Sequence, residues 1–320
     1  MRRASFCRTG GFLFSGLLGF LLLSSCQSGT FSSALPAIPN VEVIGEPGRG
    51  VGKLFQPRAI VTRNDGGCII IDRSGRAQVF DNDHQVIRVW TLPEWSSGHP
   101  IDLCMTAEGT LLVADTHYMR VIEFTEDGEE IRRFGREAGL ELVRGIDVGA
   151  DGTIYVASYG EHDRIFRFTR EGVLIDFWGQ RGDGFADFLR PEGLAVAPDG
   201  TLWVIDCGHQ RVLRFTPDGT WIQTIESAGL PSGQLSTPFD VDVLADGTLF
   251  VVDRSGCRLN LFSSTGESLH SFGGIGRQPG RLHEPRGVAV TLSGDLLKIY
   301  IADTGAHRIS HSVLDWNELR

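Results

Sequence analysis

Residues 191–219 read PEGLAVAPDGTLWVIDCGHQRVLRFTPDG. The stretch contains three short runs of aliphatic and aromatic residues, and no run has the period of a helix. The turn Asp199-Gly200-Thr201 separates the first two runs, and residues 207–210 separate the second from the third. This pattern predicts three antiparallel strands that are joined by short turns.

Similar stretches occur six times along the chain. Successive copies are 43, 43, 48, 47 and 47 residues apart. A period in the forties, combined with period-2 strands and turn signals, is typical of a β-propeller in which each copy forms one blade. Because stacked repeats share one continuous core, residues 41–320 are expected to form a single domain. The copies begin at Pro57, Pro100, Val143, Pro191, Pro238 and Pro285.

An acid and an arginine recur at the second turn of the copies. The acid ends the second apolar run in five copies, and the arginine follows it four or five residues later. A propeller needs at most one active site, whereas the second turn of every blade must be stabilised. These acid–arginine pairs are therefore predicted to be structural. The acids are Asp72, Asp115, Asp206, Asp253 and Asp303, with Ser158 in the third copy; the arginines are Arg76, Arg120, Arg164, Arg211, Arg258 and Arg308.

The two ends of the repeat region complement each other. Residues 41–57 resemble the segments before Pro191 and Pro285, which read as a fourth strand followed by a linking loop. The sixth copy, by contrast, stops soon after its third run. We therefore predict that residues 41–44 pair with the sixth blade and remove the open edge of the array. The predicted fold is all-β: a six-bladed β-propeller of four-stranded blades, closed by an N-terminal strand.

Several of these features together resemble the NHL repeat family. They are the glycine-rich approach, the P-x-G-hydrophobic-A-V start at Pro191 and Pro285, the DGTLWV turn and the step from Asp to Arg. The resemblance covers about residues 41–320 and implies a six-bladed propeller. The family includes extracellular lyases, sensor ectodomains and protein- or RNA-binding modules, so it does not by itself imply an activity.

The first 26 residues have the features of an export signal. Arginines at positions 2, 3 and 8 precede a short apolar stretch. Its end, Leu23-Ser24-Ser25-Cys26, resembles the lipobox of bacterial lipoproteins, which implies a lipid anchor on Cys26; a plain secretory peptide is the alternative. Gln27 follows the cysteine, and by the usual sorting rule this favours the outer membrane of a Gram-negative cell. Residues 27–40, rich in Ser and Pro, are predicted to be a flexible tether. We thus expect an envelope protein that is attached to the membrane through its lipid.

Charge and cysteine spacing disfavour two kinds of site, one for nucleic acid and one for zinc. Without the signal, the chain has 27 basic and 40 acidic side chains and a net charge of −13. Such a surface disfavours nucleic-acid binding. The remaining cysteines have no C-x-x-C spacing, so no zinc site is predicted from them. Cys207 and Cys257 fall in equivalent turns of neighbouring blades and could form a bridge, although buried free thiols are the favoured interpretation.

The positions directly after the opening residue differ between blades. They are Arg58, Ile101, Arg144, Glu192, Phe239 and Arg286. The residue two positions later is always aliphatic, so strand alternation predicts that the differing side chains emerge from the core at one mouth of the central channel.

The family resemblance suggests a functional role for the position after the opening residue. Amidating lyases of the family place zinc-binding histidines at this offset, and no blade here has one, so no metal is predicted. Three arginines at one mouth suit a carboxylate or phosphate. Alternatively, Arg58, Arg144 and Arg286 could pair with the channel acids and only fill the channel. The candidate ligand-binding residues are Arg58, Arg144, Glu192, Arg286, Asp102 and Asp240.

The sequence favours a binding or scaffold module over an enzyme. It offers no nucleophile elbow, no histidine-rich triad and no metal-ligand spacing, so we predict no catalytic residues and no cofactor. The expected partner is a small anionic ligand, a protein or a peptide, and the domain is expected to be a monomer. The alternative is an extracytoplasmic propeller enzyme of the amidating-lyase or lactonase type.

Overall fold

The computed structural model describes residues 34–94, 96, 98–226, 230 and 233–319. In these ranges it contains six four-stranded antiparallel sheets, arranged as the blades of a β-propeller. The predicted fold class is therefore confirmed. The signal peptide with Cys26 and the first part of the predicted tether lie outside the described residues.

The strands follow the repeat along the chain. Blade one contains β4 (Pro57–Thr62), β5 (Cys68–Asp72), β6 (Arg76–Phe80) and β7 (Val86–Thr91). Blade two contains β8 (Pro100–Met105), β9 (Leu111–Asp115), β10 (Arg120–Phe124) and β11 (Glu130–Phe134). Blade three contains β12 (Leu142–Val148), β13 (Ile154–Tyr159), β14 (Arg164–Phe168) and β15 (Leu174–Trp178).

Blade four contains β16 (Pro191–Val196), β17 (Leu202–Asp206), β18 (Arg211–Phe215) and β19 (Trp221–Ile225). Blade five contains β20 (Pro238–Val243), β21 (Leu249–Asp253), β22 (Arg258–Phe262) and β23 (Ser268–Gly273). Blade six contains β24 (Val288–Ser293), β25 (Leu296–Asp303), β26 (Arg308–Asp315) and β1 (Val41–Ile44). Two short strands, β2 (Glu46–Pro47) and β3 (Lys53–Leu54), pair in the loop before blade one.

The described helices are single 3₁₀ turns. None of them is long and apolar enough to cross a membrane. They span Thr116–Tyr118, Arg136–Ala138, Thr304–Ala306 and Trp316–Glu318.

The turn between β16 and β17 shows why the repeated D-G-T sequence ends a strand. Gly200 has a φ of +82°, a left-handed conformation that glycine adopts without steric cost. Its N–H donates to the Ala197 carbonyl at 2.8 Å. The Asp199 carboxylate accepts the backbone N–H of Thr201 at 3.0 Å, which holds the turn from inside.

The inner part of each blade is covered on both faces. Every residue of β5 and of β21 is buried, and both strands read as almost unbroken apolar runs. In the interface between blades three and four, Ile165 packs in one cluster with Leu194 and Val204. A strand that is buried on both faces loses the alternation of polar and apolar residues, which explains runs such as CIIID and LFVVD.

The recurring acid–arginine pairs are ion pairs, as predicted. Asp206 is fully buried and lies 2.8 Å from Nε of Arg211. The carboxylate also accepts the backbone N–H of Leu189, and Arg211 donates to the carbonyls of Gly184 and Asp187 in the loop between blades three and four. Each pair therefore fixes a strand turn to the incoming inter-blade loop. Equivalent pairs are Asp72–Arg76, Asp115–Arg120, Asp253–Arg258 and Asp303–Arg308.

The predicted ring closure is present. Strand β1 pairs antiparallel with β26, with Val41 opposite Ser312 and Ile44 opposite Ile309. Ile44 is buried between blade six and blade one, in the same cluster as Ile60.

The predicted tether needs a correction in its described part. Ile38 is only 3% exposed and packs with Leu282 in the core of blades five and six. The N–H of Ile38 donates to the Gly280 carbonyl at 3.0 Å, and the Pro36 carbonyl accepts the N–H of Gly273 at 2.8 Å. The buried Ile38 side chain and these two backbone hydrogen bonds dock the segment against blades five and six. The packed region therefore begins near Leu35 and not at Val41.

The four described cysteines are free and buried. A Cys207–Cys257 bridge is not formed, which agrees with the favoured interpretation. Burial raises the pKa of the Cys207 thiol to about 12, so that thiol stays protonated at neutral pH.

Candidate functional site

The side chains predicted to share one channel mouth do so. One cavity of about 10 Å³ is lined by all six candidate residues together with Ile101 and Phe239. This volume has room for about one water molecule. The structure thus brings the predicted residues together, while ligand binding by them stays a prediction. The candidate residues are Arg58, Arg144, Glu192, Arg286, Asp102 and Asp240.

A bulge at the start of the inner strand aims these side chains. The strand register shifts between Pro100 and Asp102 in blade two and between Pro238 and Asp240 in blade five. Neighbouring side chains of a regular strand point to opposite faces, yet Ile101 and Asp102 both line the cavity. The extra residue of a bulge turns the strand locally and permits this. The predicted position after the opening residue does line the mouth, but a regular alternation of faces does not account for Asp102 and Asp240 beside it.

Arg144 is neutralised within the mouth. Its Nε lies 2.5 Å from Oε2 of Glu192, and Nε of Arg190 lies 2.7 Å from Oε1 of the same carboxylate. Glu192 is almost completely buried, so this carboxylate has both oxygens engaged. The Arg144 guanidinium also lies over the rings of Tyr159, at 5.3 Å, and Phe239, at 5.7 Å. For this arginine the space-filling alternative is the better description.

Arg58 and Arg286 are different. Neither forms an ion pair with a carboxylate in the described part of the chain, and Nε of each is buried without a hydrogen-bond partner there. Burial, and after it the charges of Arg286 and Arg144, lowers the pKa of Arg58 to about 9. Burial likewise lowers the pKa of Arg286 to about 10, with Arg254 and Arg144 contributing. Arg58 and Arg286, which are both half-buried, therefore repel each other at the mouth.

The outer rim adds charges that the sequence analysis missed. Nη1 of Arg73 donates to Oε1 of Gln56 at 2.7 Å, and Arg254 pairs with Glu284 at 3.0 Å. His99 lies beside Arg73, and the pKa of His99 is lowered by burial and then by the charges of Arg58 and Arg73. The sequence did contain a signal for Arg73 and Arg254, because each directly follows the recurring acid of its blade, in blades one and five.

The two aspartates of the mouth do not pair with arginines, which corrects that part of the space-filling alternative. Oδ2 of Asp102 accepts the N–H of Ile146 at 2.9 Å, and Oδ1 accepts the N–H of Leu103 at 2.9 Å. Asp240 does the same towards blade six, where the N–H of Val288 donates at 2.9 Å. The next inner strand offers these N–H groups because no strand pairs with it on the channel side. Each carboxylate therefore joins its own blade to the following one.

A second layer of acids lies deeper in the channel. Oδ2 of Asp147 accepts the N–H of Val196 at 2.7 Å, and Oδ2 of Asp242 accepts the N–H of Val290 at 2.7 Å. Burial raises the pKa of Asp147 to about 6 and that of Asp242 to about 7. Burial also raises the pKa of Asp240 to about 7. The sequence analysis missed Asp147 and Asp242, although the Asp-Val-Asp run at 240–242 repeats the acid at the spacing of one strand face.

The channel therefore changes polarity along its axis. The mouth carries the arginines, and a deeper cavity of about 70 Å³ is lined by Asp147 and Asp242 among apolar side chains, with Asp102 and Asp240 lining both cavities. The arginine charges make the mouth the more favourable end for an anion, and the deeper carboxylates, when ionised, make the inner channel less favourable.

Comparison with known sequences gives a short and a longer match. The NHL repeat pattern matches residues 188–215, which contain β16, β17 and β18. The NHL-repeat-containing protein 4 of Mus musculus is 31% identical over 99 residues, which are 31% of this chain and 71% of that protein.

Comparison with solved structures extends the likeness to most of the chain. A streptogramin B lyase structure covers 85% of this chain and 83% of its own, with a TM-score of 0.61 and 17% identity. A virginiamycin B lyase from Staphylococcus aureus, solved as an inactive variant with quinupristin, covers 85% and 98%, with a TM-score of 0.61 and 13% identity. A gluconolactonase from Xanthomonas campestris covers 87% and 91%, with a TM-score of 0.63 and 16% identity. At these identities the likeness concerns the fold.

Proposed function

Since the chain belongs to the NHL-repeat family, whose blades are assembled into rings with a central channel, we propose that it is a binding module for a carboxylate-bearing ligand. The ligand carboxylate occupies the channel mouth between Arg58 and Arg286. The observation that carries the proposal is the pair of half-buried guanidinium groups that lack an ionic partner in the described part of the chain.

The chemistry of the mouth favours an anion. A desolvated arginine without a partner is costly, and a carboxylate that bridges two of them removes the mutual repulsion and supplies charge-assisted hydrogen bonds. The Arg286 guanidinium lies 4.9 Å from the centre of the Phe239 ring, which fixes its orientation. The two arginines belong to blades six and one, which are neighbours through the ring closure, so they can bind the same ligand group.

The size of the cavity limits how the ligand enters. A volume of about 10 Å³ accepts no more than the end of a molecule. The remainder of the ligand must extend outward over the rim, where Arg73, Arg190 and Arg254 lie. Peptides with a free C-terminus and small sugar acids fit this description.

A thermal-shift screen tests the site. We expect organic acids, sugar acids or free-carboxylate peptides to raise the melting temperature of the wild type, and C-terminally amidated peptides of the same sequence to have no effect. The double variant Arg58→Gln/Arg286→Gln loses charge-assisted hydrogen bonds of about 1.5–3 kcal/mol each, so affinity should fall at least about a hundredfold. In buffer alone it should melt no lower than the wild type, because its mutual repulsion is gone.

The matched control changes two arginines outside the mouth. The Arg133→Gln/Arg170→Gln variant removes the same charge from exposed ion pairs and should bind the ligand like the wild type. If no anion stabilises the wild type and the mouth variant melts lower in buffer, the arginines are structural and the proposal fails. Turnover of a ligand during titration would instead support a propeller enzyme of the lyase or lactonase type.

We further propose that the domain works outside the cytoplasm as a lipid-anchored protein. The support is the sequence Leu23-Ser24-Ser25-Cys26 after a basic and apolar leader. In a bacterial host we expect the wild type in the membrane fraction and the Cys26→Ala variant as an unprocessed precursor without lipid. Immunoblotting of fractions and metabolic labelling with a fatty acid distinguish the two. Equal processing and equal labelling of both proteins would contradict the anchor.

A further inference from the structure

Three potential metal ligands from distant parts of the chain meet where the ring closes. Glu42 lies in the closing strand β1, His84 in the turn between β6 and β7 of blade one, and His311 in β26 of blade six. Each offers one ligand atom, and these atoms lie within 4.8 Å of one another.

The backbone determines this meeting. Glu42 and His311 are directly opposite in the antiparallel pair β1–β26, so their side chains share one face of the blade. His84 has a φ of +60°, and its N–H donates to the Asp81 carbonyl at 3.1 Å. The turn aims the His84 ring across the blade interface, where it meets the His311 ring edge to face at 4.7 Å between centres. The cluster thus joins the closing strand to both blades at the closure.

The ligand groups are not satisfied by one another. His311 is 5% exposed, and its Nε2 is buried without a hydrogen-bond partner among the described residues. Its ring stacks on Tyr300 at 4.3 Å, and the Tyr300 hydroxyl donates to the Gly66 carbonyl of blade one at 3.2 Å. The Glu42 side chain is 65% exposed, which leaves one side of the cluster open to water.

We propose that Glu42, His84 and His311 bind one divalent transition-metal ion of the Zn²⁺ type. Two imidazole nitrogens and a carboxylate are a ligand set that zinc prefers, whereas Ca²⁺ and Mg²⁺ prefer oxygen alone. Bonds of about 2.0 Å to a tetrahedral ion place ligand atoms about 3.3 Å apart. Nδ1 of His84 lies 3.6 Å from Oε2 of Glu42, which is close to that separation and longer than a hydrogen bond. Water completes the coordination from the open side.

This cluster is favoured over other histidines because it offers three ligand groups. In the described part of the chain, the charge that opposes a cation there is that of Lys298, whose Nζ donates to Oδ1 of Asn82 at 2.6 Å. Nδ1 of His162, in contrast, is already hydrogen-bonded to Glu141 at 2.9 Å, and among the residues that the structure describes no third ligand group accompanies that pair.

The ion would act as a clamp on the ring, because it would connect the closing strand β1 to blade one and to β26 of blade six. Binding to the folded state alone stabilises a protein by mass action, and here two of the three ligands belong to the strands that close the ring. With free metal at about 100 times the Kd, we expect the melting temperature to rise by about 5 °C. The clamp does not depend on the channel mouth.

Titration calorimetry of the EDTA-treated full chain with ZnCl₂, after its accessible thiols are blocked, measures the site directly. We expect one ion per chain, and with Co²⁺ a visible absorption band that arises from nitrogen and oxygen coordination. The variants Glu42→Gln, His84→Asn and His311→Phe should each weaken binding more than about 100-fold. Asn tolerates the left-handed backbone at position 84, and Phe keeps the stacking on Tyr300.

Two control variants make the outcome decisive. Glu46→Gln changes an exposed acid of the same N-terminal segment, and His162→Asn removes a histidine that has only one carboxylate partner; both should bind Zn²⁺ like the wild type. Unchanged affinity in a folded His84→Asn protein would overturn the proposal. An equal loss in the control variants, or binding of several ions per chain, would overturn it as well.

Discussion

Deletion of residues 35–44 should lower the free energy of unfolding by about 6–8 kcal/mol. The deletion removes about four ladder hydrogen bonds at about 1 kcal/mol each, and it removes the buried side chains Ile38 and Ile44, which contribute about 2 kcal/mol each. It also leaves β26 as an open edge, so the truncated protein should self-associate in size-exclusion chromatography. Urea unfolding in the presence of EDTA, followed by tryptophan fluorescence, gives the stability without a contribution from bound metal.

Single substitutions show how much of the stability lost in this deletion comes from buried side chains. Ile44→Ala removes a buried side chain and should cost about 2–4 kcal/mol, whereas Val43→Ala in the same strand, with Val43 exposed, should cost less than about 1 kcal/mol. If both substitutions and the deletion leave the urea midpoint unchanged, strand β1 does not stabilise the ring.

The Asp206→Ala variant should lose about 3–5 kcal/mol of stability. The substitution leaves the Arg211 guanidinium buried without its counter-ion, and it removes acceptors from the N–H of Leu189 and from Nδ1 of His209. Breaking one half of a buried pair is costly because the other charge stays desolvated. The measurement is again urea unfolding at constant pH.

A surface pair provides the comparison for Asp206. Asp176 also binds an arginine, with Nε of Arg167 at 2.8 Å, but its side chain is 48% exposed. Asp176→Ala should therefore cost at most about 1 kcal/mol. Equal losses in the two variants would contradict a structural role that depends on burial.

The fold could be predicted because its rules are local and repeated. The spacing of the copies, the D-G-T turns and the acid–arginine step each act within one blade, so the sequence of that blade contains the information. The closing strand could also be predicted, since residues 41–44 match the fourth strands elsewhere and the sixth copy lacks one.

The site was predictable only in part because its contacts cross between blades. The position after the opening residue identified the mouth, but the partners did not follow from it. Asp102 binds the backbone of blade three, and nothing in its own repeat specifies this. The bulge, which puts Ile101 and Asp102 on the same cavity, has no clear sequence signal. Ile38 was missed for a related reason, since a single apolar residue has no period.

The ring closure also decides the order in which the molecule can fold. Asn40 and its partner Val313 are 273 residues apart in the chain, whereas the strands within a blade are joined by short turns. Closing a loop of that length costs about 5 kcal/mol of chain entropy, so the contact is unfavourable until the intervening blades have shortened the effective distance. During synthesis the N-terminal strand emerges first and finds its partner last. Until then it is an unpaired strand, and its exposed acid Glu42 helps to keep it from pairing with another chain.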